Sequence, residues 1–66
     1  MKKYELVADK IKAYITKNKL HHGDKLPTIT ELMKEYQVGK STILQAITLL
    51  TQQGIVYKVQ GSGVFV

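Results

Sequence analysis

Two stretches with helical apolar spacing lie only a few residues apart in the middle of this chain, and that closeness constrains the fold more than any other feature. In the first stretch, the apolar residues recur at intervals of three and four: Ile29, Leu32, Met33 and Tyr36. The second stretch repeats the pattern at Ile43, Ala46, Ile47 and Leu50. Such spacing is typical of one buried helix face. The interruption at Gln37-Val38-Gly39 therefore predicts two helices joined by a tight turn.

Local signals predict where these two helices begin and end. The segment Thr28-Ile29-Thr30-Glu31 has the form of a capping box, so the shorter helix is expected to start there. It is too short to be stable alone, and tertiary packing must hold it. The longer helix is expected to run from Lys40 to Gln53, with Gly39 or Ser41 near its N-cap. Gly54 is then placed to adopt a positive φ just past its end.

A further helix precedes this pair and a β-hairpin follows it. Helical spacing from Tyr4 to about Asn18 predicts an amphipathic first helix. After Gly54 the period changes to two, with Ile55, Tyr57 and Val59 on one face and Val56, Lys58 and Gln60 on the other. Gly61-Ser62-Gly63 is the expected tip, followed by a second strand over residues 64–66. The prediction is a mainly α fold with a small β-hairpin, a winged helix-turn-helix forming one domain over residues 1–66.

The charge balance favours a polyanionic partner. The net charge is +5, the isoelectric point is about 9.6, and all ten basic residues are lysines. Lysine suits phosphate attraction but lacks the planar guanidinium fork that favours base recognition. Without cysteine there is no disulfide or thiolate metal site, which fits a reducing cytoplasm. No apolar run suggests a signal peptide or a membrane span, so no membrane partner is expected.

An enzyme and a protein-binding or nonspecific module are the two alternatives to specific nucleic-acid recognition. His21, His22 and Asp24 lie close in sequence, but they do not form a nucleophile, a base and an orienting group, so we expect neither an enzyme nor a metal or cofactor site. The stronger alternative is a winged helix used for protein–protein contacts or for nonspecific nucleic-acid binding. The sequence leaves that alternative open.

Three motifs, in this order and at this spacing, resemble the GntR family of bacterial transcription regulators over essentially the whole chain. They are Leu26-Pro27-Thr28 with Glu31-Leu32, then the segment from Val38 to Ile43, and finally Gly54-Ile55-Val56 with the segment from Val59 to Val66. The resemblance implies sequence-specific binding of double-stranded DNA by a metabolite-responsive repressor or activator, with the third helix in the major groove and the wing at the minor groove. It also implies a homodimer on a pseudo-palindromic operator. The small-molecule effector would bind a C-terminal domain expected beyond Val66, making this chain the DNA-binding domain alone.

The family pattern transfers unevenly to individual positions. Lys40 stands where the family commonly has an arginine, and Thr30 and Leu44 stand where many members have further DNA-contacting arginines. The candidate DNA-binding residues are Thr28, Thr30, Lys40, Ser41, Thr42, Leu44, Gln45, Thr48, Lys58, Gln60, Gly61, Ser62 and Gly63.

Each group of candidates has an expected role. On the third helix, Gln45 can pair with adenine, and Ser41 or Thr48 can contact a base or a phosphate. Leu44 either packs against a thymine methyl group or covers a neighbouring helix, and both alternatives stay open. Thr28 and Ser41 can cap helices and also contact phosphate. In the wing, Gln60 and Ser62 are the expected minor-groove donors, while the flanking glycines provide turn geometry and close approach.

Overall fold

The computed structural model describes residues 2–66 and contains three helices followed by a two-stranded hairpin. Helix α1 spans Lys3–Lys17, α2 Ile29–Tyr36 and α3 Lys40–Gln52, and the strands are β1 Tyr57–Val59 and β2 Gly63–Phe65. The predicted fold class is confirmed. Helix α1 begins and ends one residue earlier than predicted, and α3 ends one residue earlier. Gly63, expected in the tip, already belongs to β2 because it pairs with Val59.

Helix α3 lies at the centre of the core and packs against both α1 and α2. Its predicted apolar stripe is fully buried, at Ile43, Ala46, Ile47 and Leu50. The opposing buried residues come from every other element or its flank: Val7, Ala8, Ile11, Leu26, Leu32, Val56 and Val64. Burying one valine, leucine or isoleucine side chain stabilises a fold by about 1.5–3 kcal/mol. Because α3 supplies the shared face, its orientation is fixed from both sides.

The turn between α2 and α3 is closed by backbone hydrogen bonds and anchored by one apolar side chain. Gln37 adopts a left-handed conformation with φ 54° and ψ 49°, and its amide donates to the Met33 carbonyl. The Val38 amide donates to the same carbonyl at 3.1 Å. The Val38 side chain packs against the buried core. These contacts set the angle at which the chain enters α3.

A third extended segment holds the hairpin against the helices. Strands β1 and β2 pair antiparallel, with Lys58 opposite Val64. On its other edge β2 pairs with the residues just before Pro27: the Leu26 amide donates to the Val64 carbonyl, and the Val66 amide donates to the Asp24 carbonyl, each at 2.8 Å. The pairing stops at Pro27, which has no amide proton to donate. The wing is therefore tied to the segment that leads into α2.

The side chains on the two faces of the hairpin strands are buried to different extents. Val56 and Val64 are buried, whereas Tyr57 and Val59 on the other face are 39% and 38% exposed. The Tyr57 ring stacks on the ring of Phe65 with 5.7 Å between centroids and 18° between planes. Alternation in the sequence identified the two faces without indicating which one is buried.

Candidate nucleic-acid interface

The face of α3 opposite the core is accessible along most of the helix. Lys40, Ser41, Gln45 and Thr48 are exposed, and Thr42 and Leu44 are half-buried. At about 100° per residue, Lys40, Ser41, Leu44, Gln45 and Thr48 fall on one side of the helix, and Thr42 falls at the edge of that side. The structure therefore brings the predicted α3 residues to one surface, which we call the α3 face.

The first turn of α3 adds positive potential to the α3 face. Its N-cap is Gly39, with φ −79° and ψ 167°, which has no side chain to cover the amides that follow. The first amides of a helix lack intrahelical partners and carry the positive end of the helix dipole. Lys40 lies in that same turn. An anion is therefore favoured at this end of the α3 face.

A shallow depression of about 330 Å³ lies beside the C-terminal half of the α3 face. It is lined by Tyr4 of α1 and by five residues of α3: Leu44, Gln45, Thr48, Leu49 and Gln52. Leu49 packs against the core, whereas Leu44 is not among the described residues that do so. Tyr4 and Gln52 were not predicted as site residues. The spacing of four that joins Leu44, Thr48 and Gln52 could have identified Gln52.

The hydroxyl groups of the two candidate threonines Thr28 and Thr48 have different hydrogen-bond partners. Thr48 Oγ1 donates to the Leu44 carbonyl at 2.9 Å, so its proton is already engaged. Thr28 Oγ1 instead accepts from the Glu31 amide at 3.1 Å. The Thr28 side chain also has a hydrogen bond with the Glu31 carboxyl group, which lowers the pKa of that group. The Thr28 hydroxyl is therefore engaged with Glu31, and the Thr48 hydroxyl with the Leu44 carbonyl.

The tip of the wing consists of three exposed residues, Gln60, Gly61 and Ser62. The Ser62 amide donates to the Val59 carbonyl at 3.0 Å and closes the turn. Gly61 has φ +82°, a conformation that residues with a side chain rarely adopt. The tip thus presents two polar side chains on a narrow backbone.

A second concave surface, of about 360 Å³, separates the wing from the start of α2. We call it the wing groove. The predicted site residues that line it are Thr28, Thr30, Lys58 and residues 60–63. Lys25 also lines it and was not predicted as a site residue. The predicted residues thus fall into two groups, one on the α3 face and one around the wing groove.

Two groups in the described chain have a perturbed pKa, and both lie around α2. The hydrogen bond from the Thr28 backbone amide, followed by that with its side chain, lowers the pKa of Glu31, and Lys25 and Lys34 act in the same direction. Burial raises the pKa of Tyr36, with Glu35 and Tyr14 adding to the effect. Glu31 is consequently a carboxylate at neutral pH, held at the helix start.

The two histidines take part in one backbone hydrogen bond and one aromatic contact. His21 and His22 are exposed; the His21 amide donates to Asp24 Oδ2 at 2.7 Å, and the His22 ring lies 5.9 Å from that of Tyr57. Within residues 2–66, no three side chains of His, Cys, Asp or Glu come together as metal ligands would. Between Lys2 and Val66, no helix has both the length and the apolar character needed to cross a membrane.

The sequence over residues 3–66 matches the family model described as bacterial regulatory proteins, gntR family. The chain belongs to the gntR family. It is 46% identical over 66 residues to the HTH-type transcriptional regulator YydK of Bacillus subtilis (strain 168), covering all of this chain and 28% of that protein. It is 40% identical over 63 residues to the mannosyl-D-glycerate transport/metabolism system repressor MngR of Escherichia coli (strain K12), covering 96% of this chain and 26% of that protein. This gntR-family chain therefore spans about a quarter of the length of these relatives.

Solved structures of relatives share the fold over the whole chain. The crystal structure of YydK from Bacillus subtilis superposes with a TM-score of 0.98 at 45% identity, covering all of this chain and 29% of that one. The DNA-binding domain of AraR in complex with operator ORX1 superposes with a TM-score of 0.92 at 41% identity, covering all of this chain and 80% of that one. The three helices and the wing are thus in the arrangement of gntR-family proteins.

Proposed function

We propose that this chain is a sequence-specific DNA-binding domain, the operator-reading part of a bacterial metabolite-responsive transcription regulator. The observation that carries the proposal is the division of α3 into a fully buried stripe and an accessible polar face that begins at Lys40. A helix held rigidly by its apolar side and presenting polar residues on the other is suited to entering the major groove. The crystallised complex of the AraR DNA-binding domain with its operator supports the proposal through its similarity over the whole chain.

In this proposal the α3 face reads bases in the major groove. Gln45 is exposed and carries both a donor and an acceptor, so it can bond to adenine at two atoms. Lys40 can donate to a phosphate or to the O6 and N7 atoms of guanine. Ser41 and Thr42, also in the first turn, lie where the free amides favour phosphate. Thr48 contributes less than a free hydroxyl would because its proton is bound to the Leu44 carbonyl.

The wing provides the second contact, at the minor groove. Gln60 and Ser62 are exposed at the tip and supply hydrogen-bond donors, while Gly61 leaves the tip narrow enough to approach. Lys58, exposed on β1, adds positive charge behind them. Thr28 and Thr30 at the start of α2 are placed to contact the phosphate backbone rather than bases.

The proposal extends to the whole regulator. We infer that a second domain provides homodimerisation and binds the small-molecule effector. The reason is that this chain matches only 26–28% of the length of its relatives. A two-fold dimer would place two copies of α3 on a pseudo-palindromic operator. The regulator would act in the cytoplasm, where the DNA is. The chain alone would bind more weakly than the dimer because it makes half of the contacts.

Selection of bound duplexes from a random library tests this function directly. The chain should enrich one sequence, and a duplex scrambled at two contacted base pairs should bind at least about thirtyfold more weakly, since each mismatch costs about 1–3 kcal/mol. If each chain neutralises about four to six phosphates, log affinity should fall against log salt concentration with a slope of roughly −4 to −5. Equal affinity for all duplexes would favour a nonspecific nucleic-acid module, and no affinity for any duplex would favour a protein-contact module.

A further inference from the structure

We propose that the wing groove binds one segment of the DNA sugar-phosphate backbone, with the Lys25 ammonium group as its principal phosphate contact. The inference rests on the proposed function, because it adds a site for the DNA backbone next to the α3 face. Lys25 belongs neither to α3 nor to the tip of the wing, and the sequence motifs do not identify it as a site residue.

The backbone of Lys25 is fixed by β2. Lys25 pairs with Phe65 as an antiparallel bridge, and hydrogen bonds of 2.8 Å join each of its neighbours, Asp24 and Leu26, to β2 or the residue that follows it. Successive side chains of an extended segment point to opposite faces. Since Leu26 is buried in the core, Lys25 is directed away from it, and its side chain is exposed.

Gly63 makes room for the Lys25 side chain. A Cβ atom built on Gly63 would lie 3.1 Å from Lys25 Cε and 3.8 Å from Lys25 Nζ. The lysine stem therefore lies against the bare Cα of Gly63, which places the ammonium group beside the base of the wing.

The lining of the wing groove has the chemistry of a backbone site. Its floor is apolar, formed by Leu26, Pro27 and Ile29 of the segment entering α2, with Val59 and Val64 from the hairpin. Two lysines, Lys25 and Lys58, also line it, together with the hydroxyl-bearing residues Thr28, Thr30 and Ser62. Of the described residues that line the groove, none carries a carboxylate side chain; the Glu31 carboxylate, whose pKa Lys25 lowers, lies outside that lining. Deoxyribose carbons can pack against the apolar residues, and a phosphate can bind the two lysines.

The wing groove also lies where a segment of the DNA sugar-phosphate backbone would pass. A duplex held by α3 in the major groove and by the wing tip in the minor groove carries one phosphodiester strand between the two grooves. The wing groove adjoins the tip residues 60–62 and extends to the start of α2. Backbone running past the wing tip would thus come within reach of the two lysines.

The test compares Lys25→Gln with Lys17→Gln on the library-selected duplex and on its scrambled counterpart. Lys17 is exposed on α1, which contributes no residue to the wing groove, so both variants lose one charge. Lys25→Gln should make the slope of log affinity against log salt less steep by about 0.9 and weaken binding roughly tenfold at 0.1 M salt, equally on both duplexes. Lys17→Gln should keep the wild-type slope. Circular dichroism and thermal unfolding should show the same fold in all three proteins.

Methylphosphonate substitution, which neutralises one phosphate at a time, locates the contact independently. Wild-type protein should lose affinity at a position flanking the wing contact, and Lys25→Gln should be insensitive at that position while keeping its sensitivity elsewhere. A Lys25→Gln variant with the wild-type slope and the wild-type methylphosphonate profile would overturn this inference and leave the proposed function intact. Absence of binding by wild-type protein to every duplex would overturn both.

Discussion

The side chains of Thr28 and Glu31 bond reciprocally to each other's backbone amides. The Thr28 amide donates to Glu31 Oε1 at 2.8 Å, and the Glu31 amide donates to Thr28 Oγ1 at 3.1 Å. The pair satisfies two amides at the start of a helix only eight residues long, which would not be stable by itself. Because α2 packs against α3, this capping box also supports the position of the α3 face.

The first prediction concerns stability at acid pH. In the folded protein, the hydrogen bond from the Thr28 backbone amide is the main cause that lowers the pKa of Glu31. The stabilisation from this hydrogen bond is therefore fully present above the unfolded pKa of about 4.5. It is lost as the pH falls through the lower pKa of the folded protein. Glu31→Gln retains an acceptor for the box but does not titrate there, so its free energy of unfolding should decline less between pH 5 and about pH 3 than that of wild type.

Urea unfolding across that pH range measures the difference. Glu35→Gln, on an exposed residue of the same helix, is the matched control and should follow the wild-type decline. An identical decline in Glu31→Gln and wild type would show that the capping box does not contribute to the acid sensitivity.

The second prediction concerns the turn after α3. Gly54 has φ +74°, and a Cβ placed on it would meet nothing within 4 Å. Substitution by alanine should therefore cost only the conformational penalty of a left-handed residue, about 1–2 kcal/mol of unfolding free energy. Gly54→Asn should cost less because asparagine tolerates this region. Chemical denaturation of the two variants and wild type gives the comparison, and equal losses for Ala and Asn would mean that backbone conformation is not the cause.

The helices were predictable because their signals are local. The capping box, the apolar stripe of α3 and the positive φ of Gly54 all follow from residues within a few positions of each other. The end of α2 is different, since the residue in the left-handed conformation is Gln37 rather than a glycine. Its conformation is maintained by the turn and by packing of the half-buried Val38 side chain against the core, which the local pattern at Gln37 does not reveal.

What the sequence did not reveal depends on long-range pairing. The bridge between Lys25 and Phe65 joins residues far apart in the chain, and it is this bridge that brings Lys25 to the wing groove. Likewise, the choice of the Val56 face over the Tyr57 face depends on where the helices lie. The position of Tyr4 beside the α3 face was not predicted for the same reason, since Tyr4 comes from α1.

The third prediction concerns base reading by Gln45. This residue is exposed on the α3 face and borders the depression beside Leu44. Gln45→Ala should remove about 1–3 kcal/mol of discrimination at one base pair, most strongly where the selected sequence has adenine. Gln53→Ala, just past the last residue of α3, provides the control and should leave the selected sequence unchanged. Repeating the library selection with each variant gives the readout. Retention of every base preference by Gln45→Ala would exclude Gln45 as a reading residue.

The fourth prediction separates the two interpretations of Leu44. Its side chain is half-buried and lines the depression with Tyr4, yet it lies outside the described set of apolar residues packed against the core. A leucine in that position has little packing to lose, so Leu44→Arg should change the unfolding free energy by less than about 1 kcal/mol. Introducing a guanidinium group should shift the preferred base at one position towards guanine, because arginine bonds bidentately to its O6 and N7 atoms. Library selection and urea unfolding of the same variant give both quantities. If Leu44→Arg instead loses much stability and selects the same sequence, Leu44 packs against α1. A contact between Leu44 and a thymine methyl group would then have no support.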